Sequence, residues 1–284
     1  MKIIFVCIGN FQEYLIDNII NLNLFGNNNI TVITENEFFK YFNNINVELI
    51  DKTTLDDCNF NDLSHLDKSF RNGFWHLCSL RLFYLYSYIK KNNIINSIHL
   101  ENDVITYINF DNIVSKFVHN KVYATFDCDH RVIPGLIFIP NHEAFKPIID
   151  KYNHGINDME NLAKFDESII EPLPIIVPLN GFNNKLNKNF TDFNFIFDAA
   201  AIGQYLGGID KRNKPGDTRG FVNETCVVKY DSYKFFWIKE NNLYVPYISI
   251  NRNLIRIINL HIHCKEVKRF LANNPLEDLL IKKL

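Results

Sequence analysis

Two pairs of acids, each spaced one residue apart, close apolar runs in this chain. The stretch "NSIHLENDVITYINFDN" (96–112) carries Glu101 and Asp103, and "KVYATFDCDHRV" (121–132) carries Asp127 and Asp129. On an extended backbone residues i and i+2 share a face, so each pair aims two carboxylates the same way. A hard divalent cation takes such oxygen ligands together with water and phosphate oxygens. Asp and Asn also crowd the loops after strands for turn reasons, and for either pair taken alone that reading comes first.

A second set lies late in the chain. "NLHIHCK" puts His261, His263 and Lys265 on one face if it is extended. A single His in an apolar strand is generally a satisfied core residue, whereas two with a Lys on one face are costly to bury without anionic partners. Arg81 is the only charge between Arg71 and Lys90. Once buried, its guanidinium needs a partner, either a structural acid such as Asp127 or Asp129 or an anionic ligand. Arg71 and Trp75 are weaker candidates near the same segment. Asp198 opens "DAAAIGQYLGGID", where an Asp serves as a helix N-cap without any catalytic role. Gln204 follows, and Gly203, Gly207 and Gly208 either allow a ring to approach closely or end the helix.

The elements that must position these groups read as an α/β chain. Lys2–Ile8 is a short apolar run ended by Gly9-Asn10, a buried strand. Helical spacing of Tyr14, Leu15, Ile19, Ile20 and Leu22 predicts a helix over Phe11–Leu24; "GNNN" breaks it, and Ile30–Thr34 is a second strand. Strand, helix, strand at this spacing opens an α/β sheet. The polar stretch Glu35–Asp67 holds one helix and a short strand at Val47–Ile50. Phe70–Asn93 is apolar around most of its circumference between Trp75 and Ile89 and reads as a buried helix.

Strands at Ser97–Leu100 and Lys121–Phe126 run into the two acidic pairs, followed by a strand at Leu136–Ile139 and a helix at His142–Tyr152. Thr191–Phe197 leads into the short Ala-rich helix ended by Gly207-Gly208. Asp210–Glu224, rich in Gly, Pro and charge, is expected to be a mobile surface loop. Two strands with a turn near Asn241-Asn242 come next. Leu254–Ala272 is expected to pass from strand to helix, and "NNPLEDLLIKKL" to form an amphipathic tail.

The 284 residues, 47% hydrophobic, suffice for a full core. A net charge of −2 offers no basic field for nucleic acid or an anionic membrane. The opening "MKIIFVCIGNF" is too short an apolar run for a secretory signal, and no apolar segment approaches the ~20 residues of a spanning helix. The six cysteines are scattered without a CxxC pair. A reduced, cytoplasmic protein without structural zinc is expected.

The order of motifs resembles nucleotide-sugar glycosyltransferases of the GT-A fold, especially the group containing glycogenin and bacterial lipopolysaccharide galactosyltransferases. Those enzymes read "hhDxDhhhhxdhxxL", then a strand ending in an acid, then a "FNxGhhhhN" strand and a helix. "HLENDVITYINFDNIV", "YATFD" and "IPGLIFIPN" look like the three elements in turn. The resemblance implies a single GT-A (Rossmann-like) α/β domain over 1–270, with a central mixed, mostly parallel sheet flanked by helices and a tail at 271–284. It implies Mn2+ or Mg2+ at Glu101-Asn102-Asp103, with Glu101 in place of the usual Asp and Asp103 the safer ligand. A late histidine, His261 or His263, would complete the shell, and Lys265 would contact a diphosphate.

The resemblance also sets Arg81 beside the nucleotide, and Asp198 with Gln204 against the transferred and acceptor sugars. Asn223 and Glu224 would be acceptor contacts. A base would lie at Ile8, Gly9 and Asn10, with Glu35 after the second strand; ligands bind at carboxyl ends of strands in open α/β sheets. The implied activity is metal-dependent transfer of a sugar from a nucleoside diphosphate, UDP first, to a hydroxyl on a glycan, protein or small molecule. The oligomeric state, a homodimer included, stays open. Two rivals remain: a catalytically degenerate relative that binds a sugar or a partner chain, and a sugar-phosphate nucleotidyltransferase, whose "GGxGxR"-like loop is missing from "IGNFQEY".

Overall fold

The computed structural model describes residues 1–178 and 184–275. Its elements run β1 (Lys2–Cys7), α1 (Tyr14–Leu24), β2 (Ile30–Thr34), β3 (Glu48–Asp51), α2 (Phe60–Leu63), α3 (Phe74–Lys91), β4 (Ser97–Leu100) and β5 (Val104–Thr106). They continue with β6 (Val122–Cys128), β7 (Arg131–Ile139), α4 (His142–Asp150), α5 (Asp158–Leu162), β8 (Ile170–Leu173), α6 (Asn184–Asn187), α7 (Phe190–Phe193) and α8 (Ile202–Gly207). The last strands are β9 (Lys234–Glu240), β10 (Leu243–Ile250), β11 (Asn253–Arg256) and β12 (Asn259–His261).

A seven-stranded sheet in the order β3-β2-β1-β4-β7-β6-β8 forms the centre. It is mixed and mostly parallel, with β7 antiparallel to both its neighbours, as expected. Alternation along β1 builds two cores: Ile4 and Val6 pack with Leu80, Leu82 and Phe83 of α3, while Ile3, Phe5 and Cys7 pack with Leu15, Ile19 and Leu22 of α1. The expected buried helix is there, with Leu80 to Tyr86 all buried. Among the described residues no helix is long and apolar enough to cross a membrane.

Three details differ from the expectations. β7 begins at Arg131, not Leu136, because its pairing with β6 shifts register between Ala124 and Thr125, opposite Pro134 and Gly135. Pro lacks the ladder N–H, and a bulge accommodates it. A third antiparallel strand, β11, follows β10, the two turns being made at Asn241-Asn242 and Asn251-Arg252, all at positive φ. The expected helix within Leu254–Ala272 is only a 3-10 turn, Val267–Phe270, because β12 and the positive φ of Lys265 use up the preceding residues. Of the expected tail, 276–284 lies outside the described residues.

Candidate metal and diphosphate site

Glu101, Asn102 and Asp103 form a turn between β4 and β5 rather than a strand tip, closed by Val104 N–H donating to the Glu101 carbonyl at 3.0 Å. Buried amides from α1 hold this turn: Asn18 Nδ2 donates to the Asn102 and Val104 carbonyls at 3.2 and 2.9 Å, and Asn21 Nδ2 to Thr106 at 2.7 Å. β5 then pairs antiparallel with β12, placing Val104 opposite His261, and Ile262 N–H donates to the Asp103 carbonyl at 2.8 Å. Two segments on the order of 160 residues apart in the chain are thereby zipped together.

His261 Nε2 consequently lies 3.2 Å from Asp103 Oδ2 and 3.4 Å from Glu101 Oε2. One ligand atom from each of Glu101, Asp103 and His261 falls within 4.8 Å of the others. The bulge residue Gly135 backs this cluster; a Cβ there would stand 3.0 Å from His261 Nδ1 and 3.5 Å from Glu101 Oε2. Two carboxylates and an imidazole, with room kept clear behind them, are a donor set that fits Mn2+ or Mg2+.

Two protein cations answer the acids. Arg81 pairs with Glu101 Oε1 through Nη1 and with Asp158 Oδ2 through Nη2, the latter at 2.7 Å. Lys265 Nζ pairs with Asp103 Oδ2. Burial raises the Asp103 pKa, but Lys265 and His261 outweigh it and hold the carboxyl well below its usual range. Burial likewise opposes ionisation of Glu101, and Arg81 with His261 reverses that. For His261, burial lowers the pKa while Asp103 and Glu101 raise it, with a net rise above 6.5.

That rise sets two opposite pH trends. A His whose folded pKa exceeds its unfolded value contributes stability that is full below about pH 6.5 and fades as pH rises through the folded pKa. In chelator, the stability gap between wild type and His261→Gln should therefore shrink as pH climbs, while Mn2+ affinity, which needs a neutral imidazole, should grow. Urea denaturation and calorimetric Mn2+ titration from pH 6 to 8.5 measure the two.

His263 lies outside the cluster. Its Nδ1 accepts from Asp210 N–H at 3.0 Å, and burial, with Lys265 and His261 nearby, depresses its pKa to about 4. Of the two histidines, His261 is the one that joins the acidic cluster. Asn102 also turns away, its Nδ2 donating to Gln12 Oε1 at 2.6 Å beside the end of β1. Ile8 is buried and Asn10 exposed there; Gly9, at φ +84°, donates its N–H to Glu35 Oε1 at 2.9 Å, and Lys52 Nζ meets the same oxygen at 2.6 Å. These residues share one corner, at the carboxyl ends of β1 and β2.

Several sequence-based expectations change here. Arg81 finds Glu101 and Asp158, not Asp127 or Asp129. Asp127 is fully buried and binds Arg131, its Oδ1 and Oδ2 accepting from Nε at 3.1 and 3.0 Å. Asp129 is exposed. Asp198, expected against a sugar, is 2% exposed, and its carboxylate accepts from the N–H groups of Ala201, Ile202 and Gly203 at 2.8 Å and His261 at 2.9 Å. Four backbone donors share its two oxygens, so this acid holds the start of α8 and pins it to β12. Gln204, one turn on, is 8% exposed with Oε1 unpartnered.

Asn223 Oδ1 accepts from Thr225 N–H and Oγ1 within its own loop, and Glu224 is exposed. Arg71 Nη2 donates to the Arg212 carbonyl at 3.2 Å and to Asn213 Oδ1 at 2.7 Å, and Trp75 is half-buried. The Asp210–Glu224 loop is tied again where Gly220 N–H donates to Tyr205 at 2.7 Å. Asp158 and Gly135 escaped the sequence reading: an acid at a helix start and a Gly beside a Pro carry no local mark of such a role.

Gly203 lets α8 touch β12. A Cβ there would collide with the His261 carbonyl oxygen and lie 2.7 Å from its carbon and 3.0 Å from Asp198 Oδ2. Gly203→Ala should cost about 2–3 kcal/mol or more, because backbone rather than a flexible side chain must move. The urea midpoint should fall, and Mn2+ binding should weaken with it as His261 shifts.

Among solved structures the chain is similar to the galactosyltransferase LgtC in complex with donor and acceptor sugar analogs, at 11% identity, covering 61% of this chain and 73% of that one, TM-score 0.40. It is similar to mouse xyloside xylosyltransferase 1 at 10% identity, covering 61% and 84%, TM-score 0.44. A cytidylyltransferase from Leptospira borgpetersenii matches at 12% identity, covering 54% and 64%, TM-score 0.33. No family model matches the chain, and no curated protein matches it.

Proposed function

We propose that this chain is a metal-dependent glycosyltransferase that moves a hexosyl group from a nucleoside-diphosphate sugar, UDP-linked first, to a hydroxyl on a glycan, protein or small molecule. The observation that carries the reading is the convergence of Glu101, Asp103 and His261 beside Lys265. As a sugar leaves a nucleoside diphosphate, negative charge gathers on the phosphates and must be stabilised where it develops. A bound Mn2+ or Mg2+ supplies Lewis acidity and a template for those phosphates. Glu101, Asp103 and His261 would hold it.

Lys265 adds a positive charge for the phosphate oxygens. Arg81, shared with Asp158, orients Glu101 from behind and stays clear of the donor. Asp198 keeps His261 in register through its backbone, and the unpartnered Gln204 amide oxygen accepts from a sugar hydroxyl. The corner of Ile8, Gly9, Asn10 and Glu35 receives the base, with the Glu35 carboxylate a ribose partner.

One observation favours a second reading, a non-catalytic binder: both acids already have a protein counter-cation in Arg81 and Lys265. A thermal-shift screen of nucleotide sugars with and without Mn2+ separates the two. Because a ligand specific for the native state raises its melting point, a donor at ~100 times its Kd should add ~2.7 kcal/mol. The transferase reading expects that gain only with Mn2+, together with slow donor hydrolysis. A sugar or partner that stabilises equally in chelator supports the binder, and no gain with any nucleoside diphosphate overturns the transferase.

A further inference from the structure

We propose that Lys265 is a placeholder cation: its ammonium occupies Asp103 until a divalent ion displaces it, and only then is it released to receive the donor diphosphate. This inference rests on the transferase reading above and adds an order of events to it.

The two cations at the cluster are held differently. Arg81 spans two carboxylates, Glu101 and Asp158, and its side chain is 10% exposed. An ion arriving at Glu101 therefore leaves the guanidinium anchored by Asp158. Lys265 has its ion pair with Asp103, and its side chain is 28% exposed, with a path to solvent. Of the two, Lys265 is the one that can exchange.

The oxygen it holds is decisive. Asp103 Oδ2 is also the atom that faces His261 Nε2 at 3.2 Å. A divalent ion joining Asp103 to His261 thus competes for the lone pairs the ammonium uses, and two cations so close in a buried setting repel. While it pairs with Asp103, Nζ already lies 5.9 Å from the Tyr14 ring centroid, so an aromatic face flanks the ammonium and stays beside it as it moves off the carboxylate.

The main chain confines the exchange to the side chain. Lys265 sits at φ +66°, and its N–H donates to the Ile262 carbonyl at 2.9 Å, so its Cα is fixed by the turn that follows β12. Ion and diphosphate are then coupled through one residue. The placeholder holds down ion affinity in the free protein, and the released ammonium raises affinity for the anion once the ion is in. Linkage makes that coupling reciprocal.

The test uses Mn2+ alone, then Mn2+ with UDP. Free Mn2+ counted by electron paramagnetic resonance should show Lys265→Met binding the ion about tenfold more tightly than wild type, the opposite of what loss of an ordinary site residue does. Lys265→Arg, keeping the charge, should bind no more tightly than wild type. In unmodified wild type, trace acetylation followed by mass spectrometry should find Lys265 labelled several-fold faster with Mn2+ and protected again when UDP is added.

Equal or weaker Mn2+ binding by Lys265→Met overturns the placeholder. So does a labelling rate that Mn2+ leaves unchanged while it raises the melting point, an outcome that spares the cation site. Absence of Mn2+ binding in both proteins removes the site and the placeholder together.

Discussion

Asp103→Asn is expected to abolish Mn2+-dependent stabilisation and to lower donor turnover by about 10²–10³-fold, the scale of losing one preorganised electrostatic partner. Asp103 is 5% exposed and, among the described residues, is the acid that pairs with both His261 and Lys265. Asn keeps the volume and one acceptor oxygen while removing the charge a divalent ion requires. The free protein should lose less stability than the ~3–5 kcal/mol typical of breaking a buried pair, because Lys265 reaches solvent and can be rehydrated. Melting curves with and without Mn2+, alongside donor hydrolysis, measure both effects. A variant as active as wild type would remove Asp103 from the metal site.

Asp198→Ala should be the most damaging substitution to the fold around the site. Four backbone donors, those of Ala201, Ile202, Gly203 and His261, lose their acceptor at once. Each buried donor left unpaired costs about 1–3 kcal/mol, and with water refilling part of the gap a total near 4–6 kcal/mol is expected. That is comparable to the ~5–15 kcal/mol that holds a domain folded. Asp198→Asn, which retains one acceptor oxygen, should lose roughly half as much. Urea midpoints for the pair give the answer. If instead Asp198→Ala is as stable as wild type and only transfer is lost, the acid faces substrate and the capping role is wrong.

These two acids show how far local sequence reaches. Glu101 and Asp103 were visible because an apolar run of strand length ends on them, and burial of such a run in a sheet is a short-range decision. The same holds for β1, β2, β4 and the buried α3, each specified by a continuous apolar run of strand or helix length. Asp198 is legible as a helix N-cap; in the structure the N-cap position of α8 falls to Ala201, and Asp198, three residues earlier, accepts the N–H groups that open the helix. Its expected place against a sugar came with the resemblance; the structure buries the side chain against β12.

The i, i+2 argument does not describe how Glu101 and Asp103 come together. They converge through a turn that Asn18 and Asn21 hold from α1, not along a strand face. The choice of His261 over His263, the pairing of Arg81 with Glu101 and Asp158, and the clearing of space by Gly135 and Gly203 were likewise beyond the sequence. The meeting of His261 with the acids depends on antiparallel pairing of β5 with β12, and the place of Gly135 on a bulge in β7.

The chain by itself determined which segments are strands and helices and which polar groups sit at their ends, since those follow from neighbours a few residues apart. Which of these groups meet was decided only in three dimensions. Partner choice in a low-dielectric interior turns on distances of an ångström between residues far apart in the chain, and no local pattern encodes that.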